Sequence, residues 1–418
     1  MSVGGAGIPR LQDLAYVEVA ALGVAGGFTF EQIRCALVNW AAAVSREGDT
    51  DGSFDERKWD LAREDSRKHV HNTVEVLKEL MRLGWVEKHI LPSTRKSAYA
   101  HAQVTFSLTE AGQAWAELVG GDRLAGYNAL TAALLDAHPQ FAGYLQVVGA
   151  TGSRPGTGAG HLTIPLLRSD SGARLSHEQF LGEFVEYAAT AAQHGNLGWT
   201  ASRAAIDAGV RGYVTQAEQR WQARERVMNR KQFMLTCEEA IVRFAFQAAG
   251  CRLDYISHEL LRRWTRFLGL ANFSYYAPGP SALRFWATAD LARRGESLEI
   301  HRAVGPQARR AALEALLQVW QEQRADTAGD MYLPIWKVRA AVSWRQRISD
   351  DEFDAAIVEA LAGDHTGLGL RIHLDQASHG ATPASTRPLV IATQGGLPRV
   401  FNVIRVVPAH TDDEKESR

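Results

Sequence analysis

Cysteine is scarce in this chain: Cys35, Cys237 and Cys251 are the only three in 418 residues. An odd, widely spaced set forms no disulfide framework, and without a Cys-x-x-Cys pair it offers no zinc knuckle. Cys35 and Cys237 fall inside helical apolar patterns and Cys251 follows Gly250 at an expected helix end, so packing accounts for all three. Long apolar runs are missing as well. No stretch reaches the roughly 20 residues that a bilayer span needs, and the Gly/Ala-rich opening has no apolar leader core. A cytoplasmic protein without membrane contact is expected. Neither sign of charge dominates: 46 basic and 47 acidic residues leave a net charge of −1. A dedicated nucleic-acid coat is visibly basic, so any DNA contact must be local to a patch or assisted by a partner.

The signatures of catalysis are also lacking. There is no Gly-x-Ser-x-Gly and no His-Glu-x-x-His. The Gly-rich stretch 150–160 lacks the Gly-Lys-Ser/Thr ending through which a phosphate loop grips its ligand, and reads as a linker. Asp49 and Asp51 lack the twelve-residue spacing and closing glutamate of a calcium loop. His69 and His71 are two apart, hence on different sides of a helix. A restriction-type nuclease needs Asp on one strand and Asp/Glu-x-Lys on the next. The nearest fragment is Asp330 to Lys337, in which Ile335 stands where a carboxylate is required. Asp350, Asp351, Glu352 and Asp354 cluster at a helix N-terminus, where the helix dipole favours carboxylates. No catalytic residue, metal or cofactor is expected, and the nuclease is kept as an enzymatic rival.

What the sequence does contain is clearest from Ser66 to Val119. Val70, Val74, Leu77, Leu80 and Met81 recur at three- and four-residue spacings, which predicts a helix over 66–83 with one apolar stripe. Gly84 is placed to stop it in a left-handed turn. Trp85–Ile90 and Val104–Leu108 read as strands flanking a basic loop, and Thr109 as the N-cap of a closing helix. A helix, a ribbon with a basic tip and the phrase Leu108-Thr109-Glu110-Ala111-Gly112 together resemble the winged helix-turn-helix family of DNA-binding folds. The resemblance implies a recognition helix at about Ser66–Leu83 and a wing at about Leu91–Ala102. It further implies His69, Asn72 and Thr73 at base edges, where groups that donate and accept hydrogen bonds can read sequence. Arg67, Lys68, Arg95 and Lys96 would contact phosphates.

Upstream, apolar helices are expected at Leu11–Leu22 and Phe30–Val44, the second with a Thr29/Gln32 capping box, then a polar surface loop over 45–63. Downstream, Ala125–Val148 reads as a helical pair broken at His138-Pro139. Ser176 opens a helix to about His194, and 195–229 reads as helical. Its end carries Arg220, Arg224, Arg226, Arg230 and Lys231, interleaved with Glu218 and Glu225, for which a solvated face is favoured over a phosphate-binding one. Two helices over 232–268, Gly269, a strand from Ala271, the loop Ala277–Pro280 and a strand over Ala282–Ala287 repeat the first region's order. Helices near 309–324, 335–344 and after Ser349, followed by strands at 368–374, 389–391 and 401–407, suggest a third copy. Trp264, Trp286, Trp336 and Trp344 fall at element centres, as core anchors do.

The expected fold is mainly α with small β-ribbons: tandem winged-helix-like domains joined by helical segments. The boundaries read as 1–124, a helical linker region 125–229 with a flexible 150–172 loop, 230–308, and 309–418 with an acidic tail. Two functions follow from different classes. One is a non-catalytic, DNA-bound adaptor working on double-stranded DNA with other protein subunits, similar in architecture to accessory subunits of bacterial DNA-processing or phage-defence systems. The other is a protein-only scaffold whose wings pack on partner subunits, since fold alone does not decide function.

Overall fold

Short polar side chains that take the first unpaired backbone N–H groups set many of the helix starts. They are seen in a computed structural model that describes residues 27–30, 32–33, 74–90, 104–149, 161–167, 175–294, 297–325, 332–362, 370–376, 389–391 and 399–408. Among the described residues, eleven helices and small antiparallel sheets make the protein mainly helical, as expected. The chain divides into two compact units, residues 1–141 with 373–404 and residues 142–372 with 405–418. The expected helix at 11–22 and the polar loop at 45–63 lie outside the described residues, as does the acidic tail.

In the first unit the Thr29 capping box forms: its N–H donates to Gln32 Oε1 at 2.8 Å, and Gln32 N–H returns to Thr29 Oγ1 at 3.4 Å. Helix α1 (74–82) turns Val76, Leu77 and Leu80 inward and leaves Lys78 and Arg82 exposed. Strands β1 (Val86–Ile90) and β2 (Val104–Leu108) pair antiparallel, Val86 opposite Leu108. The sheet gains a third member, which the sequence did not announce. Phe106 N–H donates to the Phe28 carbonyl at 3.0 Å, and Thr29 bridges to Thr105. Helices α2 (Glu110–Gly121) and α3 (Arg123–Ala137) follow, with Asp122 accepting from the N–H groups of Leu124 and Ala125. Helix α4 (Pro139–Val147) begins at the expected break His138-Pro139, and its residues 142–147 count with the second unit.

In the second unit β3 (His161–Pro165) precedes α5 (His177–His194), α6 (Arg203–Gln222), α7 (Arg230–Ala248) and α8 (Tyr255–Phe267). Ser176 and Asn229 close full capping boxes on α5 and α7, and Asp254 caps α8. Strands β4 (Ala271–Ser274) and β5 (Ala282–Ala287) form the second ribbon, and β3 pairs with β5 from the other side. The core here gathers Phe180, Phe184, Phe233, Phe246, Trp264 and Trp286, all nearly inaccessible. Burying one such side chain stabilises by about 1.5–3 kcal/mol. Hairpin β6 (Ala289–Arg294) and β7 (Ser297–Arg302) leads to α9 (Pro306–Ala325), β8 (Leu333–Pro334), α10 (Ile335–Gln346) and α11 (Asp350–Ala362). Further along the chain come β9 (Leu370–Asp375), the hairpin β10 (Leu389–Ile391) with β11 (Arg399–Phe401), and β12 (Val403–Pro408), of which residues 373–404 count with the first unit. Strands β8, β12 and β9 make a three-stranded sheet in that order.

Two expectations need correction. Residues 161–165, expected within a flexible loop over 150–172, are a strand with Leu162 and Ile164 fully buried. Its partner β5 lies more than a hundred residues downstream, so no local signal marks it. The rest of the Gly-rich stretch lies outside the described residues. Residues 195–202, expected as helix, form an irregular segment beside β3, with Gly198 at φ +79°. Thr163 N–H donates to the Leu197 carbonyl at 2.8 Å, and Trp199 Nε1–H donates to the Thr163 carbonyl at 2.9 Å. Trp199 belongs to a sheet edge, although its spacing fits the helix that starts at Arg203.

Candidate nucleic-acid interface

The interface read from the sequence is a helix, its glycine stop and a ribbon, and the described residues carry its frame. Helix α1 ends through a six-to-one closure. Trp85 N–H reaches back to the Leu80 carbonyl at 2.9 Å and Gly84 N–H to Met81 at 3.1 Å, with Gly84 at φ +72°. A residue with a Cβ rarely takes that φ, which explains the glycine. The phrase Leu108 to Gly112 closes onto this turn. Thr109 donates its hydroxyl to the Gly84 carbonyl at 2.6 Å while accepting from Gly112 N–H at 3.1 Å, and its own N–H donates to the Trp85 carbonyl at 3.1 Å. A Cβ on Gly112 would stand 1.9 Å from the Trp85 carbonyl oxygen, so only glycine fits. Trp85 and Trp115 stack at 4.6 Å, and the Trp115 indole N–H donates to the Gly126 carbonyl.

Behind α1, Glu79 and His138 form a buried pair at 2.5 Å, and Arg82 donates to the Ala137 carbonyl at 3.4 Å. Burying an acid against a base is tolerable because each supplies the other's partner. The pair ties α1 to the corner between α3 and α4. On the ribbon, Ser107 donates to Glu87 at 3.2 Å and bonds the His89 ring at 2.6 Å, so its base is mixed in charge.

Arg67, Lys68, His69, Asn72, Thr73, Arg95 and Lys96, the seven expected DNA contacts, all lie outside the described residues. The frame into which they would project is described; their own positions are not.

The second ribbon repeats the helix closure and both of the threonine's donations. Leu270 N–H reaches the Thr265 carbonyl at 2.8 Å and Gly269 N–H that of Arg266 at 3.1 Å, with Gly269 at φ +65°. Thr288 donates its hydroxyl to the Gly269 carbonyl at 2.9 Å and its N–H to Leu270 at 3.0 Å. This threonine was not singled out in the sequence; its position one residue past the second ribbon strand, as for Thr109, is the signal that would have found it. Here the helix is turned to internal work. Arg266 meets Asp350 at 2.5 Å, Asn272 donates to the same carboxylate at 2.7 Å, and Arg262 meets Glu259. Arg302 donates twice to the Leu268 carbonyl, satisfying the end of α8. The loop between β4 and β5 is pinned from within by Arg284, which donates to the Ala277 and Pro280 carbonyls.

In the third region α11 opens with Asp350, Asp351 and Glu352, capped by Ser349 as expected. The carboxylates are used inside the fold: Glu352 accepts from Gly305 N–H and Arg309, and Asp354 from the buried Arg339. Of the fragment read against a nuclease motif, Asp330 and Met331 lie outside the described residues, and the rest runs through β8 into the first turn of α10, with Ile335 fully buried. Trp264 and Trp286 are core anchors, and Trp286 meets Trp344 edge-on at 5.4 Å. Burial pushes the Cys237 thiol up to about 12 and the Cys251 thiol to about 11, so both stay protonated near neutral pH. Among the described residues, no group of three or more His, Cys, Asp or Glu is arranged to hold a metal, and no helix is long and apolar enough to cross a membrane. No protein-family model, curated protein or solved structure matches the chain.

Proposed function

We propose that the chain is a non-catalytic, DNA-associated adaptor made of three winged-helix units, in which the first meets the duplex and the other two serve as a platform for protein subunits. One observation carries the reading, the recurrence of a single strand order. In each region an earlier segment pairs with the far strand of the ribbon: Phe28–Thr29 with β2 through one bridge and one backbone hydrogen bond, strand β3 with β5, and strand β8 with β12. A helix precedes each ribbon, and a winged helix is such an arrangement. In the first unit His69, Asn72 and Thr73 would face base edges, while Arg67, Lys68, Arg95 and Lys96 hold phosphates.

The division of labour is supported by charge. The helix that would enter a groove in the third region, α11, carries Asp350, Asp351, Glu352, Asp354 and Glu359, which a phosphate backbone repels. The equivalent helix in the second, α8, spends Arg266 on α11. These two regions therefore favour the protein-scaffold reading even where the first favours DNA.

Fluorescence polarisation of a labelled duplex over a salt series tests the proposal. Affinity should fall steeply as salt rises, and Arg95→Ala/Lys96→Ala should reduce the slope of log affinity against log salt by about two, one for each lost phosphate contact. Binding absent at low salt, or a slope untouched by the double substitution, would reject the first unit's role.

A further inference from the structure

We propose that the cleft between the C-terminal half of α6 and the N-terminal half of α7 is a binding site for a nucleoside 5′-phosphate, with guanine the preferred base. The cleft has a volume of about 320 Å³. That lies at the lower end of the roughly 300–1,000 Å³ of small-molecule sites and suits a single nucleotide. The cleft lies in the second unit and is independent of the duplex contact proposed for the first.

Three kinds of surface meet there. The rim is cationic. Arg220 and Arg224, four residues apart at the end of α6, line the cleft and are exposed. Neither makes a side-chain hydrogen bond or ion pair with a described residue. Arg203, Arg310 and Arg345, also exposed, are engaged by Glu186, Glu314 and Glu322, whereas Arg226, Arg252 and Arg263 share the lack of a described side-chain partner but do not line the cleft. The neighbouring Glu218 faces His177. The carbonyls at the end of α6 are already occupied, Trp221 accepting from the N–H groups of Arg224 and Arg226 and Gln222 from that of Glu225. Two guanidinium forks a helical turn apart, held by no carboxylate, match a phosphate better than any other common group.

The walls are flat and apolar. Trp221 is half-buried on one side, and Leu235 is 49% exposed on the other. Between them a planar ring would gain stacking and shed water. The floor is an acid. Glu239 is half-buried; its Oε2 accepts from the Tyr213 hydroxyl at 3.0 Å, and Arg243 covers the Tyr213 ring at 4.7 Å. Its Oε1 accepts no hydrogen bond from a described residue. Burial raises the pKa of that carboxyl from its ordinary value, the Tyr213 hydrogen bond opposing the shift.

The combination selects the ligand. An acidic peptide would satisfy the rim but bring carboxylates toward Glu239. Inorganic phosphate would use the rim alone. A nucleotide uses all three, with phosphate on Arg220 and Arg224, base between Trp221 and Leu235, and base N–H groups on Glu239. Guanine presents two adjacent N–H donors, which a carboxylate accepts in parallel. The nucleotide could be free or the 5′-terminal residue of a strand, and the chemistry is the same.

Isothermal titration calorimetry of the full chain with the four ribonucleoside 5′-monophosphates, guanosine and inorganic phosphate tests the site. GMP should bind, with guanosine and phosphate each at least about tenfold weaker. Arg220→Ala/Arg224→Ala should weaken GMP at least about tenfold while leaving the circular-dichroism melting curve in place, because both side chains are exposed. Glu239→Gln should keep nucleotide binding and erase the preference for guanine over uracil, a change that a purely structural role would not produce. A short single strand with a 5′-phosphoguanosine end that binds tighter than GMP, with the gain lost in the double arginine variant, identifies a strand end as the source. Equal affinity identifies the free nucleotide. No heat with any nucleotide at millimolar concentration, phosphate binding as tightly as GMP, or a double variant that binds unchanged would overturn the proposal.

Discussion

The Thr109 hydroxyl works in both directions, donating to the carbonyl of the glycine that stops α1 and accepting from the backbone of the helix that follows the ribbon. Thr288 repeats the donation to Gly269. Replacing Thr109 by valine keeps the shape and removes both bonds. Loss of a cap and of a bond to a backbone carbonyl should cost about 1–2 kcal/mol, read as a lowered urea midpoint. Gly112→Ala is the harsher change, since its methyl must displace the Trp85 carbonyl. It should cost about 1–3 kcal/mol or more in the same measurement. His258 gives a test in pH. It lies among the rings of Tyr144 from α4, Phe246 from α7 and Phe285 from β5, and burial, then the Arg262 charge, holds its pKa well below the ordinary value of 6.5. Glu259 is 3.7 Å from its Nε2 but is engaged by Arg262. The unfolded chain therefore binds a proton that the folded chain refuses. Stability from this group is complete above about pH 6.5 and is lost as pH falls below it, by up to about 1.4 kcal/mol per unit. His258→Phe should flatten urea-derived stability between about pH 6.5 and 5 relative to the native chain.

Between elements, the contact of α8 and β4 with the start of α11 rests on Asp350, which takes Arg266 and Asn272 together. A double-mutant cycle of Arg266→Ala and Asp350→Ala should return a coupling of about 1–2 kcal/mol, moderated by the partial exposure of Arg266. Additive losses would show that the pair contributes nothing beyond its members. At this scale the sequence was most legible where a stop signal met a period. Gly84, Gly269, Ser176 and Ser349 stand where the helices begin or end as read. It was least legible for the partner strand of each sheet. Phe28–Thr29, His161–Pro165 and Leu333–Pro334 are short and pair with residues far away, so neither periodicity nor turn chemistry reports them.

For the whole molecule, a nearly neutral total hides strong local bias: an acidic α11, a cationic rim on α6, and a mixed ribbon base in the first unit. The basic run at 220–231 read as a solvated face. The sequence does not separate Arg220 and Arg224, which make no ion pair or side-chain hydrogen bond with a described residue, from Arg230, which donates to the Leu175 carbonyl. The charge sorting predicts that raising salt weakens duplex binding through the first unit, and that the Arg220→Ala/Arg224→Ala variant keeps the native salt slope for a blunt, unphosphorylated duplex. Polarisation over the same salt series measures both. Assembly of the second unit also has a timetable. Strand β3 leaves the ribosome with Leu162 and Ile164 bare, and β5, which covers it, is translated more than a hundred residues later. At ordinary elongation speeds that is a wait of roughly six to twenty-five seconds, during which a sticky segment is open to chaperones. A nascent chain stalled before Ala282 should hold such a chaperone, and one stalled well past Ala287 should have let it go.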